Sequence, residues 1–236
     1  MKQLTLTEPN QIHLVFRVYR SHPPVGWWFR GQADISWSLI PKAGRPEFLL
    51  PNNRDIGRFK RWKNDAVAYF SELPSNEWEC LALAQHHGLA TRLLDWSFNP
   101  LVATYYACCE SPESDGAVYF YDPILFVKEN VPSIEDAPTG CAFIPRAITP
   151  RILSQKGIFT VHNPPNDTIP VGAHSVSKGE DNQVRLIIPK AMKPELMQIL
   201  DDYGVNRVAL FPDLDGWSFH INWQTQIMTR RRKDTA

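Results

Sequence analysis

A mixed α+β fold in a single domain is the class that this sequence predicts, and three observations lead to it. Amphipathic stretches of helical period lie mostly before residue 110, so helices are expected to concentrate in the N-terminal half. Short runs rich in Val, Ile and aromatic residues recur between them, bounded by Gly, Pro and Asn, as strands are. No fixed-period repeat or low-complexity tract suggests a solenoid or a linker-joined pair of domains.

In chain order, Thr7, Glu8 and Pro9 read as a helix start, with Ile12, Val15, Phe16 and Tyr19 at helical spacing. The span 26–32, GWWFRGQ, reads as an aromatic strand with Arg30 and Gly31 at its end. Residues 54–73 carry Ile56, Phe59, Trp62, Val67 and Phe70 on one helical stripe, closed by Pro74. Asn76 and Glu77 open a further helix that Gly88 should stop just after His86 and His87. The polar cluster from Thr91 to Asn99 reads as a tight loop, and Pro100 starts another helix.

In the second half, 116–121 alternates as a strand, Thr149 and Pro150 begin a short helical turn carrying Arg151 and Gln155, and 157–162 reads as a buried strand. The stretch 164–179 has loop composition. Strands are expected at 183–189 and 205–211, and helices at 194–202 and 214–228.

Composition narrows the function classes. Of 236 residues, 43% are hydrophobic and 21% charged, as in globular domains with a substantial core. Lys plus Arg and Asp plus Glu are 25 each, so no overall field indicates nucleic acid or an anionic membrane. The basic run Arg230 to Lys233 reads as a solvated or helix-terminating tail. Four cysteines without a CxxC pair indicate neither a zinc site nor a disulfide framework, which fits a reducing cytoplasm. A charged-then-apolar leader and a membrane-length apolar run are not seen, so no membrane association is expected.

The stretch 81–107, LALAQHHGLATRLLDWSFNPLVATYYA, places many polar groups inside an apolar run, where each must be satisfied or used. His86 falls at a helix C-terminus, where the carbonyl ends favour a protonated ring, and reads either as a core histidine or as a donor or acid/base. No second ligand follows at a metal-binding spacing, so no metal is expected. Arg92 and Asp95 are three residues apart and are expected to form an ion pair that pins the loop. Arg30, before Gly31, suits bidentate recognition of phosphate or carboxylate. Cys80 shares a helix with His86, but its apolar neighbours favour an inert thiol. Dinucleotide, P-loop, nucleophile-elbow and zincin spacings do not occur.

These residues resemble the FRG domain family, whose Phe/Tyr-Arg-Gly motif stands here as Phe29, Arg30 and Gly31. The chain is also similar to the family at Gln85, His86, Gly88 and Thr91 to Trp96, and at Pro100 with the helix after it. The likeness extends to Arg151, Gln155, Gly157 and Phe159, and to LFPDLDG at 210–216. His87 stands where the family commonly has an aromatic residue and Ala90 where Pro is common, so no role passes to His87. The resemblance divides the chain into an N-terminal helix at 1–25, an FRG-like domain at 26–216, and a C-terminal helix with a basic tail at 217–236.

The Arg-Gly at the end of the first aromatic strand also resembles the first motif of ADP-ribosyltransferases, which implies a transferase-like sheet core and NAD as substrate. On that resemblance Arg30 and Gly31 hold NAD phosphate, Gln85, His86 and Thr91 line the pocket, and His86 holds the nicotinamide ribose. Gln155 or Asp213 would stand in the region of the transferase glutamate. Two functions follow: an NAD-dependent enzyme that cleaves the nicotinamide glycosidic bond, with its acceptor open, or a non-catalytic module that binds an anionic ligand or protein partner.

Overall fold

Among the described residues the sheet is seven-stranded, in the spatial order 2–5, 183–188, 116–121, 28–32, 93–97, 157–161 and 142–143. The computed structural model describes residues 1–19, 21–22, 25–52, 54–70, 72–123, 125–127, 133–145, 157–170 and 182–234. Its strands are β1 (Lys2–Thr5), β4 (Trp28–Gln32), β5 (Leu93–Ser97), β6 (Gly116–Tyr121), β7 (Ala142–Phe143), β8 (Gly157–Val161) and β9 (Gln183–Ile188). A hairpin of β2 (Ser21–His22) and β3 (Val25–Gly26) stands apart from it. The edge strand β1 runs parallel to β9, and the other neighbours are antiparallel.

Among the described residues seven α-helices accompany the sheet, which makes the chain a single α+β domain. Four precede residue 110: α1 (Gln11–Val18), α2 (Arg54–Ala66), α3 (Glu77–His86) and α4 (Pro100–Cys108). Three follow residue 190: α5 (Lys193–Asp202), α6 (Arg207–Leu210) and α7 (Leu214–Asp234). Strand alternation sorts the core. Phe29, Val118, Phe120, Leu186 and Ile188 meet Ile12 of α1, Ala103 and Ala107 of α4, and Leu196 of α5. Trp28, Leu94, Trp96, Tyr119 and Tyr121 form a second cluster, while Leu93, Phe159 and Val161 pack with α2 and α3.

Local chemistry sets the helix ends near the cleft described below. Asn76 Oδ1 accepts from the backbone N–H of Trp78 at 2.8 Å and of Glu79 at 3.4 Å, capping α3. At its other end, Leu89 N–H donates to Ala84 O at 3.0 Å across Gly88, whose φ of +90° suits glycine. Asn99 Oδ1 caps α4 through Leu101 N–H at 3.0 Å, with Pro100 in the first turn. A Cβ at Gly31 would lie 1.9 Å from Ala103 O, so this glycine lets α4 lie directly on β4.

Several expectations need correction. The TRLLDW segment is not a tight loop: its core is β5, inside the sheet. Arg92 and Asp95 do not pair, because residues three apart along an extended chain face opposite sides. Arg92 instead binds Asp55 of α2, with Nε 2.9 Å from Oδ2 and NH2 2.8 Å from Oδ1. The strand expected at 205–211 is the short helix α6, started by Asn206 Oδ1 accepting from Ala209 N–H at 3.0 Å. Helix α2 ends at Ala66, leaving Val67 66% exposed rather than on the apolar stripe. Strands β1 and β7, four and two residues long, are too short for a periodic signal. The expected turn with Arg151 and Gln155 lies outside the described residues, as does 171–179 of the expected loop.

Candidate active site at the split between β4 and β5

The sheet is well zipped everywhere but at its centre. Five residue pairs align between β4 and β6 and five between β5 and β8, whereas β4 and β5 align only at Phe29 and Ser97. Beyond that pair the two halves part, and a cleft of about 390 Å³ opens between them. Its walls are Phe29, Arg30 and Gly31 of β4, all of β5, and Val102, Ala103 and Tyr106 of α4. The end of α3, with Gln85 and His86, closes one side, and the turn carrying Pro41, Lys42 and Arg45 forms the rim.

The two halves are joined across the cleft by polar groups. Arg30 NH1 donates to Asp95 O at 2.8 Å and lies 3.8 Å from Asp95 Oδ2, while its buried Nε has no hydrogen-bond partner. Burial lowers the Arg30 pKa, Asp95 opposes that shift, and the neighbouring charge of Arg45 adds to it. The group stays protonated, as a guanidinium does at physiological pH. Gln85 Nε2 donates to Asp95 Oδ1 at 2.7 Å, and Gln85 Oε1 accepts from the Thr91 hydroxyl. Lys42 Nζ donates to Gly88 O at 3.1 Å, tying the rim to the end of α3.

The structure thus brings together Arg30, Gly31, Gln85 and His86 at one cleft. Thr91 is buried and donates its hydroxyl to Gln85 Oε1. Asp213 is not among the lining residues; its Oδ1 accepts from Gly216 N–H at 2.7 Å in the first turn of α7, as a helix cap. Gln155 lies outside the described residues.

Sequence reasoning missed Asp95, Lys42 and Arg45. The alternation of Leu94, Asp95 and Trp96 was a signal for Asp95, because it puts the carboxylate on the face opposite its apolar neighbours. Nothing in the 41–45 turn marked its two cations. Among the described residues the lining holds three permanent cations, Arg30, Lys42 and Arg45, against one carboxylate, Asp95, a balance that favours an anion.

The other reactive groups lie elsewhere. The four cysteines are unpaired, and burial pushes the thiols of Cys108 and Cys109 up to about 12 and about 11. Among the described residues no group of three or more His, Cys, Asp or Glu could hold a metal ion, and no helix is long and apolar enough to cross a membrane.

Fold and site together define an α+β domain with a basic cleft where its central sheet divides. A family model described as FRG domain matches residues 26–116. The span that is similar to the FRG domain includes every residue named above as lining the cleft. No curated protein and no solved structure gave a significant match.

Proposed function

We propose that the cleft binds NAD as a substrate and that the chain is an ADP-ribosyltransferase-like enzyme that cleaves the nicotinamide glycosidic bond. The observation that carries this reading is the convergence of Arg30, Gln85, His86 and Asp95 on one net-positive cleft. A volume near 390 Å³ is within the usual range for small-molecule sites.

In this reading the Arg30 guanidinium, with Lys42 and Arg45, receives the diphosphate. His86 holds the nicotinamide ribose. The bond from ribose carbon to nicotinamide nitrogen breaks with its electron pair leaving on nicotinamide, and the cationic sugar is stabilised by Asp95. Water or an acceptor hydroxyl or amine then adds to that carbon and releases its proton to solvent. The enzyme contributes position and a fixed negative charge where positive charge develops.

The test is nicotinamide release from millimolar NAD, measured with thermal shift on the same samples. Saturation at 100 times the dissociation constant stabilises the fold by about 2.7 kcal/mol. Arg30→Ala should abolish that shift, whereas Asp95→Asn should keep it and lose turnover. A shift without nicotinamide release in the wild type would replace the enzyme by a binding module for phosphate-bearing ligands. No shift at all would remove NAD from the reading.

A further inference from the structure

The C-terminal helix carries an apolar seam that the rest of the domain leaves uncovered. In α7, Gly216 and His220 are buried and Trp223 and Ile227 half-buried, and this stripe seats the helix on the body. Beside it, Leu214, Trp217, Ile221 and Met228 are 82%, 52%, 44% and 63% exposed. Positions 214, 221 and 228 are one heptad apart, and 217 occupies the complementary place between the first two. At 3.6 residues per turn the four side chains fall within a strip about 60° wide. A strip that narrow is a coiled-coil seam rather than the broader face a helix turns to its own core.

The charges at the two ends fix what fits the seam. Asp213 and Asp215 flank its start, whereas the sequence at its end reads Arg230, Arg231, Arg232 and Lys233. A parallel copy would place acid on acid and base on base. An antiparallel copy places each acidic end on a basic one and sets the helix dipoles head to tail. We infer that α7 is a homodimerisation helix, which pairs antiparallel with α7 of a second copy about Ile221, Leu214 lying against Met228 and Trp217 against Thr225. The inference is independent of the chemistry in the cleft.

Analytical ultracentrifugation of the full chain, carried from about 1 to 100 µM to capture a micromolar complex, tests it. The wild type should sediment as a dimer, and Ile221→Asp as a monomer with an unchanged thermal melt, since Ile221 is exposed within one chain. Mild oxidation of mixed Leu214→Cys and Met228→Cys variants should give the mixed cross-link, and neither variant alone should link. A wild type that stays monomeric at the highest concentration overturns the inference. So does a dimer that survives Ile221→Asp, or a Leu214→Cys chain that cross-links to itself as a parallel pair would. A monomer that sediments with phosphatidylserine vesicles would assign the seam to a lipid surface instead.

Discussion

Arg30 and Arg92 belong to the two segments that meet at the cleft, and they have opposite fates. All three nitrogens of Arg92 donate, Nε and NH2 to Asp55 and NH1 to Ile134 O at 3.3 Å, and its side chain is fully buried. Arg30 spends one nitrogen on a carbonyl, keeps a 3.8 Å approach to Asp95, and leaves its buried Nε without a partner among the described residues. The guanidinium whose donors are all used by the fold holds the fold; the other lines the cleft and keeps a donor unused.

The largest effect should therefore fall on Arg92. Removing it leaves the Asp55 carboxylate buried and unpaired, so Arg92→Met should lower stability by about 3–5 kcal/mol in urea unfolding. The double variant Asp55→Leu/Arg92→Met should recover much of that loss, because no lone charge remains buried. Arg30→Met should leave the urea midpoint close to that of the wild type. Equal midpoints for the two single arginine variants would break the contrast.

A second effect, of about 3 kcal/mol, comes from His162. Burial is the main cause that lowers its pKa from 6.5 to about 4; the Asp167 carbonyl opposes the shift, and the positive charge of Arg30 adds to it. Between those two values the folded chain binds fewer protons than the unfolded one, so stability rises with pH across that window and is lost on acidification from 6.5 towards 4. Urea midpoints taken across that window should show the slope, and His162→Gln should flatten it. Arg30→Met should raise the lower end of that window and so narrow it, because the charge of Arg30 is one of the causes that lower the folded-state pKa.

The contrast between the two arginines was only half legible in the sequence. Phe29, Arg30 and Gly31 sit on an aromatic strand that periodicity revealed, and Gly88 and Asn76 bounded α3 by their own conformational preferences. The partner of Arg92 was not legible, because Asp55 is 37 residues away and the pairing needs the packing of α2 beneath β5. Reading 91–96 as a loop had the same root: its polar residues suggested a turn, while alternation about Asp95 is what a central strand requires. The opening between β4 and β5 is a property of strand pairing, which no single segment encodes.

The smallest expected effect separates a residue that acts on the cleft from one that lines it. Thr91 is buried, receives Leu93 N–H at 3.2 Å and donates its hydroxyl to Gln85 Oε1, which leaves Gln85 Nε2 directed at Asp95. Thr91→Val keeps the shape and removes both bonds, at a cost near 1 kcal/mol. In the reaction proposed for the cleft, the same loss felt where Asp95 faces the developing positive charge should slow nicotinamide release about fivefold. The affinity for NAD should hold, because Arg30, Lys42 and Arg45 are untouched. Turnover should thus fall with KM unchanged, while Gln85→Leu, which deletes the intermediate amide, should match Thr91→Val and add nothing when the two are combined. Additive losses would show that Thr91 does not act through Gln85.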